Sequence, residues 1–91
     1  MQIAMVNVGH GNIIPADKII AILNNNSAPI KKIIQEAKEQ DLLINACQGR
    51  KARSVIMMSS NHVILSSVQT ETIVSRMILR EGVEFKKPTT N

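Results

Sequence analysis

The sequence predicts a small α+β domain with a mainly antiparallel sheet and two helices. Two observations support this class: five short apolar runs have the length of β-strands, and two longer segments place apolar residues at helical spacing. A chain of 91 residues has the length of one domain. We place that domain at 1–80 and predict a flexible tail at 81–91, where no periodicity is visible.

The first elements are two strands separated by a glycine turn. Residues 2–8 are apolar and β-branched, and the two glycines of the following Gly-His-Gly-Asn indicate a turn or a close backbone approach. Pro15 places the start of the next apolar run at a sheet edge or in a turn, which leaves 19–23 as the second strand. The Asn-Asn-Asn-Ser segment at 24–27 ends that strand.

The first helix is the most clearly marked element. Ser27 has the chemistry of an N-cap, and Pro29 lies in the first turn, where its missing N–H is tolerated. An apolar stripe at helical spacing follows and predicts a helix of about three turns. The stripe consists of Ile30, Ile33, Ile34 and Ala37.

Three strands and a second helix complete the domain. The apolar runs 41–47, 53–59 and 62–68 predict strands, and the short gap between the last two predicts a hairpin. Thr70 is a candidate N-cap for a helix at 71–80. The predicted buried side of this helix consists of Ile73, Val74, Met77 and Ile78.

The composition predicts a small core. Apolar residues make up 44% of the chain, but the only aromatic residue is Phe85. A short chain without large anchors has marginal stability, and oligomerisation is a common remedy. Cys47 is the single cysteine, cannot form an intrachain disulfide, and is predicted to be buried and unreactive. Because no segment resembles a signal peptide or a membrane span, we expect a cytoplasmic protein.

Positive charge is concentrated in the middle of the chain. The net charge is +4, and residues 18–53 hold seven Lys and Arg against three Asp and Glu. The densest part is the cluster of Arg50, Lys51 and Arg53. Charge of this sign and density favours nucleic acid or another polyanion as partner.

The meaning of this cluster depends on its backbone, which we expect to be a strand. On a strand, Lys51 and Arg53 share one face and Arg50 points to the other, unless Gly49 places Arg50 in a turn. Arginine offers planar donors to phosphate or guanine, and lysine offers a mobile point charge. On the residues alone, an edge strand protected by charge against aggregation is an almost equal alternative.

Lys31 is an outer candidate for the same surface. It lies in the first turn of the predicted helix, where a cation opposes the helix dipole unless an anion binds nearby. An ordinary polar helix face, with Lys32 and Glu36 at i,i+4 spacing, is the simpler interpretation of this segment.

The residues that catalysis or metal binding requires are not grouped in the sequence. The seven carboxylates show no acid–base spacing, and neither a GxGxxG nor a Walker A motif is present. His10 and His62 have no neighbouring ligand residues and are interpreted as structural. We therefore predict a protein without enzyme activity, metal or cofactor.

Four segments together resemble the RemA family, small bacterial regulators of extracellular-matrix genes. They are, in chain order, NVGHGNIIPADKIIAI, SAPIKKIIQEAKEQ, LINACQGRKARSVI and HVILSSVQTETIVSRM, and the resemblance runs from about residue 5 to 77. The resemblance implies a DNA-binding transcription regulator with a fold related to LytTR-type domains. It also implies assembly into a closed ring that presents a basic outer surface to DNA.

The resemblance further implies which residues contact DNA. The family positions correspond to Lys18, Arg50, Lys51 and Arg53, with Arg50 or Arg53 as the candidates for base contacts. Lys18 and Lys51 stand where the family commonly has arginine, so the charge is kept and the bidentate fork is lost. The expected partners are double-stranded DNA and further copies of the chain, at the nucleoid.

Two other functions remain open on the sequence. An RNA-binding protein would usually carry exposed aromatic residues for base stacking, and Phe85 alone argues against this function. A ring-forming scaffold could instead use its basic surface to bind an acidic protein. Binding to that partner that is unaffected by excess DNA, together with no binding of the chain to DNA itself, would favour the scaffold over the DNA-binding regulator.

Overall fold

The computed structural model describes residues 5–80. The tail predicted at 81–91 and the side chain of Ile78 lie outside what is described. The six strands are β1 (Met5–Asn7), β2 (Ile13–Pro15), β3 (Ile19–Asn24), β4 (Leu43–Asn45), β5 (Ser54–Met58) and β6 (Val63–Ser66). The helices are α1 (Ala28–Glu39) and α2 (Thr70–Arg80), and a 3-10 turn spans Ala16–Lys18.

The strands form two sheets. β1 and β2 pair antiparallel as a two-stranded sheet, and the other strands form a sheet of order β3-β5-β6-β4. Within the larger sheet only β4 and β6 are parallel. The predicted α+β class with a mainly antiparallel sheet and two helices is confirmed.

The four-stranded sheet is the middle layer of the molecule. Successive residues of a strand point to opposite faces. Val55 therefore packs with Ile30 under α1, whereas Ile56 packs with Val6 and Ile73 under β1 and α2. One face is thus covered by α1 and the other by the small sheet together with α2.

The beginning of the chain differs from the prediction by one strand. β2 was not predicted, because Pro15 indicated an edge or a turn. In the structure Pro15 is the last residue of this short strand and pairs with Met5. The glycine turn is confirmed, and Gly9 has a φ of 111°. A Cβ at Gly9 would lie 3.1 Å from Cγ2 of Val68, which is the predicted close backbone approach.

Both helices follow their apolar stripes, and the predicted N-cap position is confirmed for α1 but not for α2. Ser27 occupies the N-cap position of α1 without a capping hydrogen bond from its side chain. Thr70 is the first residue of α2 rather than its cap, and the N–H groups of Thr72 and Ile73 donate to the carbonyl of Gln69. Val74, predicted to be buried, is 42% exposed because it lies about 100° around the helix from the buried Ile73.

Two fully buried serines connect the layers. Ser66 Oγ donates to the carbonyl of Val8 (2.6 Å) and accepts from the N–H of Val68 (3.0 Å). Ser54 Oγ donates to the carbonyl of Val68 (2.8 Å). These bonds satisfy polar backbone groups where β1 and the segment before α2 meet the large sheet.

Neither described helix is long and apolar enough to cross a bilayer. Cys47 lies two residues after the end of β4 rather than within a strand, and it is buried, as predicted. Burial raises the pKa of the Cys47 thiol, because the thiolate would lose its hydration.

Replacing Ser66 should destabilise the fold more than its small size suggests. Ser66→Ala leaves the carbonyl of Val8 and the N–H of Val68 without their partner, at a cost of about 1–3 kcal/mol. Urea denaturation at fixed protein concentration measures the change. Ser59→Ala, at an exposed position whose side chain makes no hydrogen bond within residues 5–80, is the control and should shift stability by less than about 0.5 kcal/mol. Equal stability of the two variants would contradict the structural role of Ser66.

Cys47 should react slowly with a thiol reagent in the folded protein. Its raised pKa lowers the thiolate fraction near neutral pH, and burial limits access. Ellman's reagent should therefore modify the folded chain more slowly than the urea-unfolded chain, and the rate should begin to rise at a higher pH. Equal rates in the two states would show that the site is open to solvent.

Candidate nucleic-acid interface

The basic cluster lies in a loop, not on a strand. Residues 46–53, which we call the basic loop, connect β4 to β5, so the strand predicted from residue 53 begins one residue later at Ser54. The N–H of Arg50 donates to the carbonyl of Cys47 (3.0 Å), and Gln48 and Gly49 have φ values of 55° and 79°. The alternative in which Gly49 places Arg50 in a turn is the correct one.

The turn brings the three cations together. Arg50, Lys51 and Arg53 are exposed and line, with Ser67, a shallow cavity of about 350 Å³. Among the described residues, this cavity has no carboxylate in its lining. Three positive charges and a hydroxyl group on one open surface suit an anion that approaches from solvent.

The same loop borders a second cavity of different chemistry. Lys51 and Arg53 line it together with residues 24–26, Gln69 and Glu71, around a volume of about 230 Å³. The side-chain amide of Asn25 donates to the carbonyl of Ala52 (3.2 Å) and joins residues 24–26, which we call the asparagine segment, to the basic loop. The sequence indicated only that a strand ends at these asparagines, because the residues that make their contact with the basic loop are 27 positions apart in the chain.

Lys18 lies at the opposite end of the large sheet. Its carbonyl accepts from the N–H of Ser59 (2.7 Å), just beyond the last residue of β5, whereas Arg53 immediately precedes the first. At about 3.4 Å per residue, the six steps from Arg53 to Ser59 along β5 separate the two positions by about 20 Å. One copy of the chain therefore does not bring Lys18 to the basic loop.

Lys31 is exposed on α1, as predicted, but is not part of the cluster. It lies four residues after the N-cap position and lines neither cavity of the basic loop. The structure thus groups three of the five candidate residues and leaves Lys18 and Lys31 elsewhere.

An apolar groove lies beside Lys18. It has a volume of about 450 Å³ between β2 and the edge strand β4, and Ile44 of β4 is 46% exposed there. Its apolar lining consists of Ile14, Pro15, Ile44, Met58 and Ile64. Single exposed apolar residues are too common on surfaces for the sequence to have revealed this groove.

The histidines make local contacts. Ser60 Oγ lies 2.6 Å from Nδ1 of His62, and Ser67 Oγ lies 3.3 Å from Nε2 of His10. His62 stands in the turn before β6, as expected. Across residues 5–80, no three side chains of His, Cys, Asp or Glu come together as a metal site.

Comparison with known proteins identifies the family. The family model described as "RemA-like: Extracellular matrix regulatory protein A-like" matches residues 5–77. A protein of Desulforamulus reducens named "Putative regulatory protein" is 48% identical over 89 residues, which cover 98% of this chain and 99% of that relative. Relatives under the same description in Halalkalibacterium halodurans and Heliobacterium modesticaldum are 49% and 51% identical. The alignments cover 92% and 91% of this chain, and 97% and 91% of those relatives. The chain therefore belongs to the RemA-like family of regulatory proteins.

Proposed function

We propose that the protein is a transcription regulator that binds double-stranded DNA through the basic loop. The observation that carries this proposal is the convergence of Arg50, Lys51 and Arg53 on one open cavity without a carboxylate in its described lining. The family and the names of its relatives support a regulatory role rather than a catalytic one. By the same membership we propose that the regulated genes include those of the extracellular matrix, as in biofilms, and that the protein acts in the cytoplasm.

The chemistry of the cavity suits a phosphate backbone. Each guanidinium group presents two parallel N–H donors, which match two oxygens of a phosphate group. The flexible side chain of Lys51 adds a positive charge that can move toward a phosphate group. The hydroxyl of Ser67 can donate one further hydrogen bond. Because a phosphate chain repeats its charge along the duplex, neighbouring cations can each contact a different phosphate.

A single copy would bind weakly, which is the reason to propose a ring. Each neutralised phosphate adds about 0.9 to the salt slope of binding, and one basic loop supplies only a few contacts. In an assembly, the first contact raises the effective concentration of the following ones. Head-to-tail copies would also place the Lys18 end of one chain beside the basic loop of the next.

The apolar groove is the surface that we assign to this self-association. Ile44 exposes apolar area, and the outer edge of β4 has no partner strand within residues 5–80; a second copy would cover both. Lys18 at the rim of the groove would then lie at the contact between copies, adjacent to the DNA-binding surface.

The scaffold function remains the second candidate. A basic loop with three exposed cations would also suit an acidic protein, and the apolar groove would serve the same assembly. RNA is disfavoured, because the only aromatic residue of the chain is Phe85.

Removing two arginines should reduce the salt dependence of DNA binding. For Arg50→Ala/Arg53→Ala we expect weaker binding to a fluorescent duplex and a salt slope lower by about 0.9 for each phosphate that the variant no longer neutralises. Fluorescence anisotropy across a salt series measures both quantities. The control Lys32→Ala/Lys38→Ala removes the same charge from the exposed face of α1 and should keep the native slope. Equal slopes for the two variants, or no duplex binding by the native chain at low salt, would contradict the proposal.

Breaking the assembly should weaken DNA binding without any change in the cations. Ile44→Gln introduces a polar group into the apolar groove, so we expect a folded monomer by analytical ultracentrifugation. Without multivalent binding, duplex affinity should fall by roughly a hundredfold or more. Ile44→Val keeps the apolar surface and should assemble normally. A monomeric variant with native affinity would show that binding does not require the ring.

A further inference from the structure

The second cavity of the basic loop is held together by three segments of the chain. The amide of Asn25 binds the carbonyl of Ala52, which joins the asparagine segment to the basic loop. Thr70 Oγ1 lies 3.1 Å from Oδ1 of Asn24, which joins the same segment to the start of α2. The asparagine segment is therefore fixed on both sides before any ligand arrives.

These internal bonds leave two amide side chains free at the rim. Asn26 and Gln69 are exposed, line the cavity, and make no side-chain hydrogen bond to another residue within 5–80. Each amide offers an N–H donor and a carbonyl acceptor side by side. Beside them the cavity presents the cations Lys51 and Arg53 and the carboxylate of Glu71.

This mixture of groups does not suit a phosphate. A carboxylate repels a phosphate group, and an amide has no charge to offer it. The edge of a base pair, by contrast, presents donors and acceptors side by side. Asparagine and glutamine match N6 and N7 of adenine, arginine matches O6 and N7 of guanine, and a carboxylate accepts from N4 of cytosine.

We propose that Asn26 and Gln69 contact base edges in the major groove of DNA and set the sequence preference of this protein. The neighbouring cations hold the duplex by its backbone, and the amides distinguish one base pair from another, with adenine as the expected base. Phosphate contacts position a protein on DNA, whereas base contacts specify the sequence. This inference rests on the proposed DNA binding by the basic loop.

The test compares sequence preference with general affinity. The variant Asn26→Ala/Gln69→Ala removes both amides without changing any charge, and neither residue has a positive φ that would strain alanine. Native and variant chains are each used to select bound duplexes from a pool with a randomised centre. Affinities for the enriched sequence and for a shuffled duplex of the same composition are then measured across a salt series.

The native chain should enrich duplexes that carry adenine at particular positions of the randomised centre. In the variant, discrimination between the enriched and shuffled duplexes should fall by roughly tenfold to a hundredfold, as expected when bidentate base contacts are removed. The salt slope should stay at the native value, because every cation is retained. Gln35→Ala/Gln40→Ala removes two exposed amides from α1 and its C-terminus and should keep the native discrimination.

The outcomes separate this inference from the proposed function. Salt-dependent duplex binding with the same discrimination in native and variant chains overturns the role of the amides and leaves the basic loop as the DNA surface. Binding without any sequence preference in the native chain overturns it too. Absence of duplex binding by the native chain overturns both proposals. The major groove of duplex RNA is too narrow for side chains, so an equal effect of the variant on RNA of the enriched sequence overturns the major-groove assignment.

Discussion

The pairing of Ser54 fixes the basic end of the molecule. Ser54 is the first residue of β5 and pairs with Asn24 of β3 on one side and with Ser66 of β6 on the other. Three segments therefore meet at the same end of the sheet: the asparagine segment, the basic loop and the segment that leads into α2. A register slip of one residue would turn the side chains of β5 to the wrong faces and separate these segments. The hydrogen bond from Ser54 Oγ to the carbonyl of Val68 holds the register.

The same strand pairing fixes the two ends of the basic loop. Its first N–H, from Ala46, donates to the carbonyl of Leu65, and its last, from Arg53, donates to the carbonyl of Ser66. Both ends of the loop are thus attached to adjacent residues of β6, and the turn at Gly49 lies between them. A loop closed over such a narrow base has less freedom to lose when it binds a ligand, so more of the contact energy appears as affinity. A strand would have divided the three cations between two faces, whereas the turn allows them to converge.

The period of the apolar residues was sufficient to predict most of the fold. The stripe of α1 and the runs that became β3, β5 and β6 are local patterns, and local patterns are visible in a sequence. β2 was missed because three residues ending in proline carry almost no periodic signal. The basic loop was predicted as a strand because apolar runs lie on both sides of it. The cluster of cations was visible in the sequence, but neither the distance to Lys18 nor the asparagine cavity was, since both depend on contacts between distant parts of the chain.

The separation between Lys18 and the basic loop constrains how copies can assemble if the protein binds DNA as proposed. A two-fold contact of groove against groove would bring two Lys18 ends together and leave the basic loops at the far ends of a dimer. A head-to-tail contact uses two different surfaces, and such contacts form rings when the rotation between copies closes. In this proposed arrangement each Lys18 would lie toward the basic loop of a neighbour, and the four cations would form one surface that repeats around the rim. The roughly 20 Å from Arg53 to Ser59 along β5 would then be the spacing between the two cationic parts of each copy. The geometry of one chain therefore favours the head-to-tail arrangement for a protein whose ligand is a continuous polyanion.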